Sequence, residues 1–392
     1  MAVNFQQVVE QVGVLARGAG IRQRRLEDQH QQAVRLQATW AGRGEELRQK
    51  VKAASRQDPA LRCAIPLAGR LDQGWTAPPL PLPLTLIAAD GSQIAPDRHA
   101  TVLYSLINVG HIVLVAGSGL PPECGSDSQL LLEEQLYTPT GLLTPEAIEA
   151  QRDLAERRAI LALALPDREG AVGLTDGPLE LWNARERTGA DYQKDLELHR
   201  SILLQLQQGG VIVAGYVDKP AADLVIRTLE IAVLEDQQVQ EDIRRLHPLR
   251  GVSDRWLFAR VLKEGQRSSV FAMQSLSSAH YAGDLALHFF YLNAGDERHA
   301  WIARVEIPAW VARDEQQLGR LHSALLEQCR TMGVRPYPYL LHRAHELAVV
   351  GFEEKQQVEY MLELGLRRAG AEVDQGSAKA SAKALPGRSR HP

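Results

Sequence analysis

Two aspartates, each followed directly by a glycine, stand where an apolar run of strand length ends. Asp90 follows residues 84–89, and Asp176 follows residues 171–175. An aspartate at such a place is often only a turn former, because its side chain bonds its own backbone. Two carboxylates brought together repel each other and raise a pKa, and a hard divalent cation removes that cost. Whether these aspartates do chemistry therefore depends on whether the fold makes them neighbours.

A third candidate acid is Glu156, in a predicted helix that starts at Thr144-Pro145-Glu146 with a hydroxyl cap and an early proline. Glu156 lies one turn after Arg152 and flanks an apolar stripe, so its carboxylate could reach the edge of a sheet. Three such acids would suit metal-assisted hydrolysis of a phosphodiester. By itself, Glu156 is indistinguishable from an exposed helical acid.

Residues 336–346 place two tyrosines and two histidines, among them Tyr337 and His345, around a predicted helix start. A neutral imidazole could join a metal site, and a phenol could orient water or phosphate. Spacing alone favours a capped helix with histidines on its surface, and the His-x-x-His pair is not the HExxH zinc signature. Lys219 follows a predicted strand and could meet a phosphate, although a lysine in a loop is more often only solvated.

Apolar periodicity and turn residues predict the elements that would position these side chains. Asp90-Gly91 is predicted as a turn, Gly110 as a break between strands, and 117–143 as a loop or short elements. The predicted strands are 84–89, 101–109, 111–116, 171–175 and 211–216, and the predicted helices are 145–165, 188–208 and 221–235.

This order predicts an α/β fold with a ribonuclease H-like core: a mixed sheet of an antiparallel meander plus parallel strands, flanked by helices. In such a core the first and fourth strands are neighbours, so Asp90 and Asp176 would meet at one end of the sheet. Added strands are predicted at 270–273, 286–292 and 301–307, and added helices at 315–328 and 340–350.

Four regions are predicted along the chain. Residues 1–60 form a helical N-terminal arm, 61–83 a proline-rich linker, 84–366 the nuclease-like domain and 367–392 a disordered low-complexity tail. Residues 1–56 carry a charge of about +5, although the chain of 392 residues has a net charge of −4. A solvated face of a docking helix and an arm that faces DNA or a partner both fit this charge.

The cysteines, the sequence motifs and the apolar stretches exclude several classes of protein. Cys63, Cys124 and Cys329 are far apart, so they fit neither a zinc site nor a disulfide framework. The chain contains no Walker A sequence, which excludes a P-loop ATPase. It has no apolar stretch of membrane-spanning length and no signal peptide, and we expect a cytoplasmic protein without a membrane partner.

Between residues 84 and 352 the chain resembles the NurA nuclease family. The resemblance depends on the order and spacing of several short segments together. These are 87–93 (IAADGSQ), 175–178 (TDGP), 215–220 (GYVDKP), 304–308 (RVEIP), and Tyr337-Pro338-Tyr339 through Ala344-His345-Glu346.

The resemblance implies a ribonuclease H-like core and a toroidal homodimer. It also implies manganese-dependent single-strand endonuclease and 5′-to-3′ exonuclease activity, and a hexameric HerA-type ATPase as partner in processing DNA ends for recombination and double-strand break repair. Carried over by position, Asp90 and Asp176 bind metal and Glu156 is the helix acid, chosen for its Arg-x-x-x-Glu context although Glu146, Glu149 and Asp153 are nearby. Tyr337 and His345 are the C-terminal site residues.

The leading hypothesis is a DNA nuclease in which Asp90, Glu156, Asp176 and His345 hold Mn²⁺ or Mg²⁺. In this hypothesis Tyr337 positions phosphate or water, and Lys219 offsets phosphate charge. One alternative is a catalytically silent DNA-binding or scaffolding relative that docks on an ATPase. Another is a ribonuclease H-like nuclease that acts on RNA or DNA junctions.

Overall fold

The computed structural model describes residues 3–138, 141–165, 167–181, 190–235, 237–239 and 243–370. The described helices are α1 (Phe5–Arg17), α2 (Ala19–Trp40), α3 (Gly44–Gln57), α4 (Pro145–Ala164), α5 (Ala190–Gln208), α6 (Leu224–Val233), α7 (Asp254–Val261), α8 (Ala309–Ala312), α9 (Glu315–Thr331), α10 (Tyr339–Ala348) and α11 (Phe352–Arg368). The described strands are β1 (Cys63–Pro66), β2 (Trp75–Thr76), β3 (Leu84–Ile94), β4 (Tyr104–Ala116), β5 (Glu123–Leu132), β6 (Tyr137–Thr138), β7 (Gly141–Leu142), β8 (Val172–Asp176), β9 (Ile212–Val217), β10 (Gln266–Arg267), β11 (Phe271–Gln274), β12 (Leu287–Asn293) and β13 (Ile302–Pro308).

The chain divides into two compact units, and the division falls inside β9. The first unit combines the described residues up to Leu80 with Gly215–Tyr337, and the second combines Pro81–Ala214 with the described residues from Pro338 onward. Each unit is therefore built from two separate stretches of sequence.

In the first unit, β1, β11, β12 and β13 are neighbours in that order and antiparallel. All seven residues of β12 and of β13 are buried, so these strands form the centre of the core. Helix α3 adds Val51 and Ala54 to an apolar cluster with Cys63 and Ile231. Helix α1 buries no side chain, in contrast to α2 and α3.

In the second unit, β3, β4 and β5 form an antiparallel meander, and β8 pairs with β3 in parallel. Strand β9 is the next neighbour of β8. Helices α4 and α10 both pack on β3 and β4. Three meander strands followed by α4, β8, α5, β9 and α6 confirm the predicted ribonuclease H-like core and its neighbouring first and fourth strands.

The strand boundaries around the meander differ from the sequence prediction. The predicted turn at Asp90-Gly91 is wrong, because β3 continues to Ile94, with Asp90 opposite Gly110 and Gly91 opposite Val109. The predicted break at Gly110 is also wrong, since β4 runs through it. Strand β5 lies in the stretch predicted as a loop, because most of its side chains are exposed and backbone pairing with β4 leaves no apolar pattern.

Other predicted elements lie close to the described ones. Strand β8 ends at Asp176, and the chain turns at Gly177, whose positive φ of +81° favours glycine. The start of the helix predicted from 188 and most of the tail predicted from 367, residues 371–392, lie outside the described residues. Helices α7, α8 and α11 were not predicted. In the part of the chain that the structure describes, no helix is long and apolar enough to cross a membrane.

Candidate active site at strand β3

Residues 90–93 of β3 face two different helices in alternation, because successive residues of a strand point to opposite faces of the sheet. On one face, Asp90 and Ser92 meet helix α10. Oδ2 of Asp90 lies 2.7 Å from Nδ1 of His345. The hydroxyl of Ser92 donates to the carbonyl of Ala348, the last residue of α10. This face therefore joins one predicted acid to the predicted histidine.

On the other face, Gly91 and Gln93 meet helix α4. Oε1 of Gln93 accepts a hydrogen bond of 2.9 Å from Arg152 Nη1. A Cβ at Gly91 would lie 2.5 Å from Arg152 Cγ and 2.9 Å from Oε1 of Glu156. Gly91 is therefore required for the close approach of α4, and not for a turn.

Glu156 is buried, with a side chain only 5% exposed. Burial raises the pKa of its carboxyl well above the ordinary value, and the nearby charges of Asp153 and Asp90 raise it further. Arg152 opposes this effect, since its Nε lies 3.3 Å from Glu156 Oε1. Glu156 thus lies within electrostatic reach of Asp90, and Arg152 partly compensates its charge.

Asp176 ends β8, directly beside β3. The parallel register pairs Ala89 with Thr175, so Asp90 and Asp176 are the next residues on two neighbouring strands. The side chain of Asp176 is exposed. The fold therefore brings the two Asp-Gly acids to the same end of this strand pair, although β3 continues beyond it.

Arg157 is a buried residue of this region that the sequence reasoning missed. Its Nη2 donates to the carbonyls of Pro178 and Leu179 at 3.0 and 3.3 Å, and its Nη1 donates to the carbonyl of Asp153 at 2.7 Å. Arg157 therefore ties the turn that follows Asp176 to helix α4. Its signal in the sequence was weak, because an arginine next to Glu156 also fits the solvated face of a helix.

Gly110, opposite Asp90, permits the close approach of α10. A Cβ at this position would lie 2.3 Å from the carbonyl oxygen of Ala344 and 2.5 Å from the amide nitrogen of Ala348. Only a glycine leaves room for that backbone. In the sequence, Gly110 is equally typical of a break between strands, which conceals its part in bringing His345 to Asp90.

Two predicted residues, Tyr337 and Lys219, belong to the first unit. The ring of Tyr337 packs edge-on against Tyr216, with centroids 5.6 Å apart. The ammonium of Lys219 lies 3.8 Å from the ring centroid of Trp301, whose indole nitrogen donates to Asp218. Their predicted contacts with phosphate stay predictions.

The donor types at the Asp90 end suit a hard divalent cation, since they are carboxylate oxygens and an imidazole nitrogen. Asp90 and His345 are already adjacent. Across the described residues, no three histidine, cysteine, aspartate or glutamate side chains lie close enough together to hold an ion. The chemistry of the donors therefore fits a metal, and the structure brings together one pair of them.

Comparison with known proteins indicates the family to which this chain belongs. A family model described as the NurA domain matches residues 84–350. The chain belongs to the NurA family. The crystal structure of the NurA nuclease from Sulfolobus solfataricus is 14% identical and covers 81% of this chain and 92% of its own, with a TM-score of 0.45.

The catalytic domain of human endonuclease V is 13% identical and covers 82% of this chain and 98% of its own, with a TM-score of 0.35. No curated protein matches the chain in sequence. Because both solved structures are less than 15% identical to the chain, with TM-scores of 0.45 and 0.35, the assignment to the NurA family depends on the family model and not on them.

Proposed function

We propose that this NurA-family chain is a metal-dependent DNA nuclease whose reaction takes place beside Asp90 and His345. The observation that carries the proposal is the contact of 2.7 Å between Asp90 Oδ2 and His345 Nδ1. It lies at the end of the strand pair where Asp176 is the next acid. Membership of the NurA family supports nuclease activity.

Asp90 and His345 have complementary roles in this proposal. The Asp90 carboxylate accepts a hydrogen bond from the N–H at Nδ1 of His345, and the lone pair of the neutral imidazole is then on Nε2. The imidazole side chain is 61% exposed, and Asp90 is 14% exposed. His345 can therefore present Nε2 to an ion or a substrate, while Asp90 fixes the ring.

The proposed ligands of Mn²⁺ or Mg²⁺ are Asp90, Asp176 and His345. Glu156, on helix α4, is the proposed fourth ligand. When bound, the cation supplies positive charge that stabilises the oxygens of the phosphodiester. Arg152 holds the Glu156 carboxylate beside Gly91. We propose Tyr337 and Lys219 as residues that contact phosphate.

The family resemblance supports the finer proposals. They are single-strand endonuclease and 5′-to-3′ exonuclease activity, a toroidal homodimer, and partnership with a HerA-type ATPase in the repair of DNA ends. Each can be tested separately from the chemistry at Asp90.

The test is a cleavage assay on labelled single-stranded DNA with Mn²⁺, Mg²⁺ or chelator. We expect Asp90→Asn to lower the rate by about a hundredfold, the result of removing roughly 3 kcal/mol of transition-state stabilisation. Asp28→Asn, on the exposed surface of α2, serves as the control. Full activity of Asp90→Asn, or of the wild-type protein in chelator, would contradict the proposal.

The same assay separates the two alternatives. Binding of DNA without cleavage in any metal would indicate a scaffolding relative. Preferential cleavage of RNA, hybrid or branched substrates in a matched panel would indicate a ribonuclease H-like specificity.

A further inference from the structure

Three polar residues form a row across the meander on the face that carries α10. Ser92 on β3 is the cross-strand partner of Asn108 on β4, and Asn108 is the partner of Ser128 on β5. Cross-strand partners share a face of the sheet. The row lies two residues along β3 from Asp90, outside the set of residues assigned to the reaction.

The row binds the C-terminal end of α10. Nδ2 of Asn108 donates to the carbonyl of Ala348 at 2.8 Å, and Ser92 donates to the same carbonyl. Asn108 also approaches the carbonyl of Leu347 at 3.4 Å. The last carbonyls of a helix have no partner within the helix, so these donors satisfy groups that would otherwise be unpaired.

The amide of Asn108 is held in one orientation. Its Oδ1 accepts a hydrogen bond of 2.7 Å from the hydroxyl of Ser128, which leaves Nδ2 directed at α10. Asn108 is 8% exposed and its bond to Ala348 is buried, so water competes little for that bond, whereas Ser128 is exposed. A carboxylate of the same shape could not donate to Ala348, and it would place a charge beside the negative end of the helix.

We infer that Asn108, oriented by Ser128, is a positioning residue that holds α10 in register on β4 and so keeps His345 against Asp90. His345 lies one turn before Ala348, so a shift at this end of the helix moves the imidazole with it. The effect on catalysis rests on the proposed function, whereas the effect on the docking of α10 does not.

The first test needs neither metal nor substrate. Hydrogen–deuterium exchange of residues 339–348 is compared in full-length wild-type protein, Asn108→Asp and Ser128→Ala. We expect exchange to be faster in both variants, with the larger effect in Asn108→Asp. Ser126→Ala, on the same face of β5 and opposite Gly110, is the matched control and should exchange like the wild-type protein. Unchanged exchange in both test variants would overturn the inference.

The second test asks whether Asn108 acts through His345. We expect Asn108→Asp to weaken Mn²⁺ binding, measured by calorimetry without DNA, by about tenfold, and to lower kcat more than it changes KM. In a His345→Ala background the same substitution should have little further effect. If the losses of Mn²⁺ affinity caused by Asn108→Asp and by His345→Ala add fully in the double variant, a role of Asn108 through His345 is contradicted. If Asn108→Asp does not fold, Ser128→Ala takes its place in the same cycle.

The two tests also separate this inference from the proposed function. A wild-type protein without Mn²⁺ binding or cleavage would overturn the nuclease proposal, while the exchange result would still decide the role of Asn108. An active wild-type protein with an equally active Asn108→Asp would overturn only the positioning role in catalysis.

Discussion

The imidazole of His345 lies 2.7 Å from the carboxylate of Asp90, although 255 positions separate the two residues in the sequence. Two glycines allow helices α10 and α4 to pack closely on the strands around this contact. Gly110 admits the backbone of α10, and Gly91 admits the side chains of α4. Substitutions at these glycines should therefore affect the site through the helices that pack there.

Gly91→Ala should destabilise the protein by about 1–3 kcal/mol, because the new methyl group would overlap Arg152 and Glu156. Urea denaturation measures the change. Gly20→Ala, in helix α2 with no atom near its added Cβ, should instead stabilise by about 0.5–1 kcal/mol. Equal effects at the two sites would contradict the close packing of α4.

Gly110→Ala should cost about 3 kcal/mol, at the upper end of the overpacking range. The added methyl group meets main-chain atoms of Ala344 and Ala348, which cannot rotate away as a side chain can. Exchange of the α10 amides and the rate of DNA cleavage should change together. Gly365→Ala in α11, where the space is open, should change neither.

Arg157→Met should lower the free energy of unfolding by about 1–3 kcal/mol, because it leaves the buried carbonyl of Leu179 and the part-buried carbonyls of Asp153 and Pro178 without this donor. We also expect weaker Mn²⁺ binding, since the turn after Asp176 loses its tie to α4. Arg158→Met removes an exposed arginine next to it and should change the free energy of unfolding by less than about 0.5 kcal/mol.

The first unit should show two opposite pH dependences. Burial raises the pKa of Asp254 from 3.8 to about 6. The folded state therefore holds this proton more tightly, and stability falls as pH rises from about 4 to about 6. Burial lowers the pKa of His322 from 6.5 to about 4. Its contribution is complete above about 6.5 and is lost as pH falls towards about 4.

Denaturation between pH 4 and 7 can separate the two groups. Because the two contributions oppose each other, His322→Gln removes the one that rises with pH, and its stability should decline with rising pH relative to that of the wild-type protein. Gln can keep a donor for the carbonyl of Gly265, which His322 Nε2 meets at 2.9 Å. Asp254→Asn should change the slope in the opposite direction. Equal slopes in all three proteins would contradict both assignments.

Much of the fold could be predicted because its elements are apolar and periodic. Helix α4 starts at the predicted Thr144 cap, and β8 and β9 lie within a residue of their predicted bounds. Strand β5 left no such signal, because it is held by backbone hydrogen bonds while most of its side chains are exposed. Backbone pairing has no residue code of its own, so an exposed polar strand resembles a loop in sequence.

The sequence by itself determined β3, β8, β9 and helix α4, and the placement of Asp90 and Asp176 on neighbouring strands. Both follow from local apolar patterns and from the topology that this order of elements permits. The other two predicted meander strands are the two halves of β4, and β5 was not predicted. Only the tertiary structure decided that Gly91 and Gly110 are sites of close helix approach, that Arg157 ties down the turn after Asp176, and that Asn108 holds the end of α10. These relationships join residues far apart in the chain, and their energy comes from packing and buried hydrogen bonds that no local pattern records.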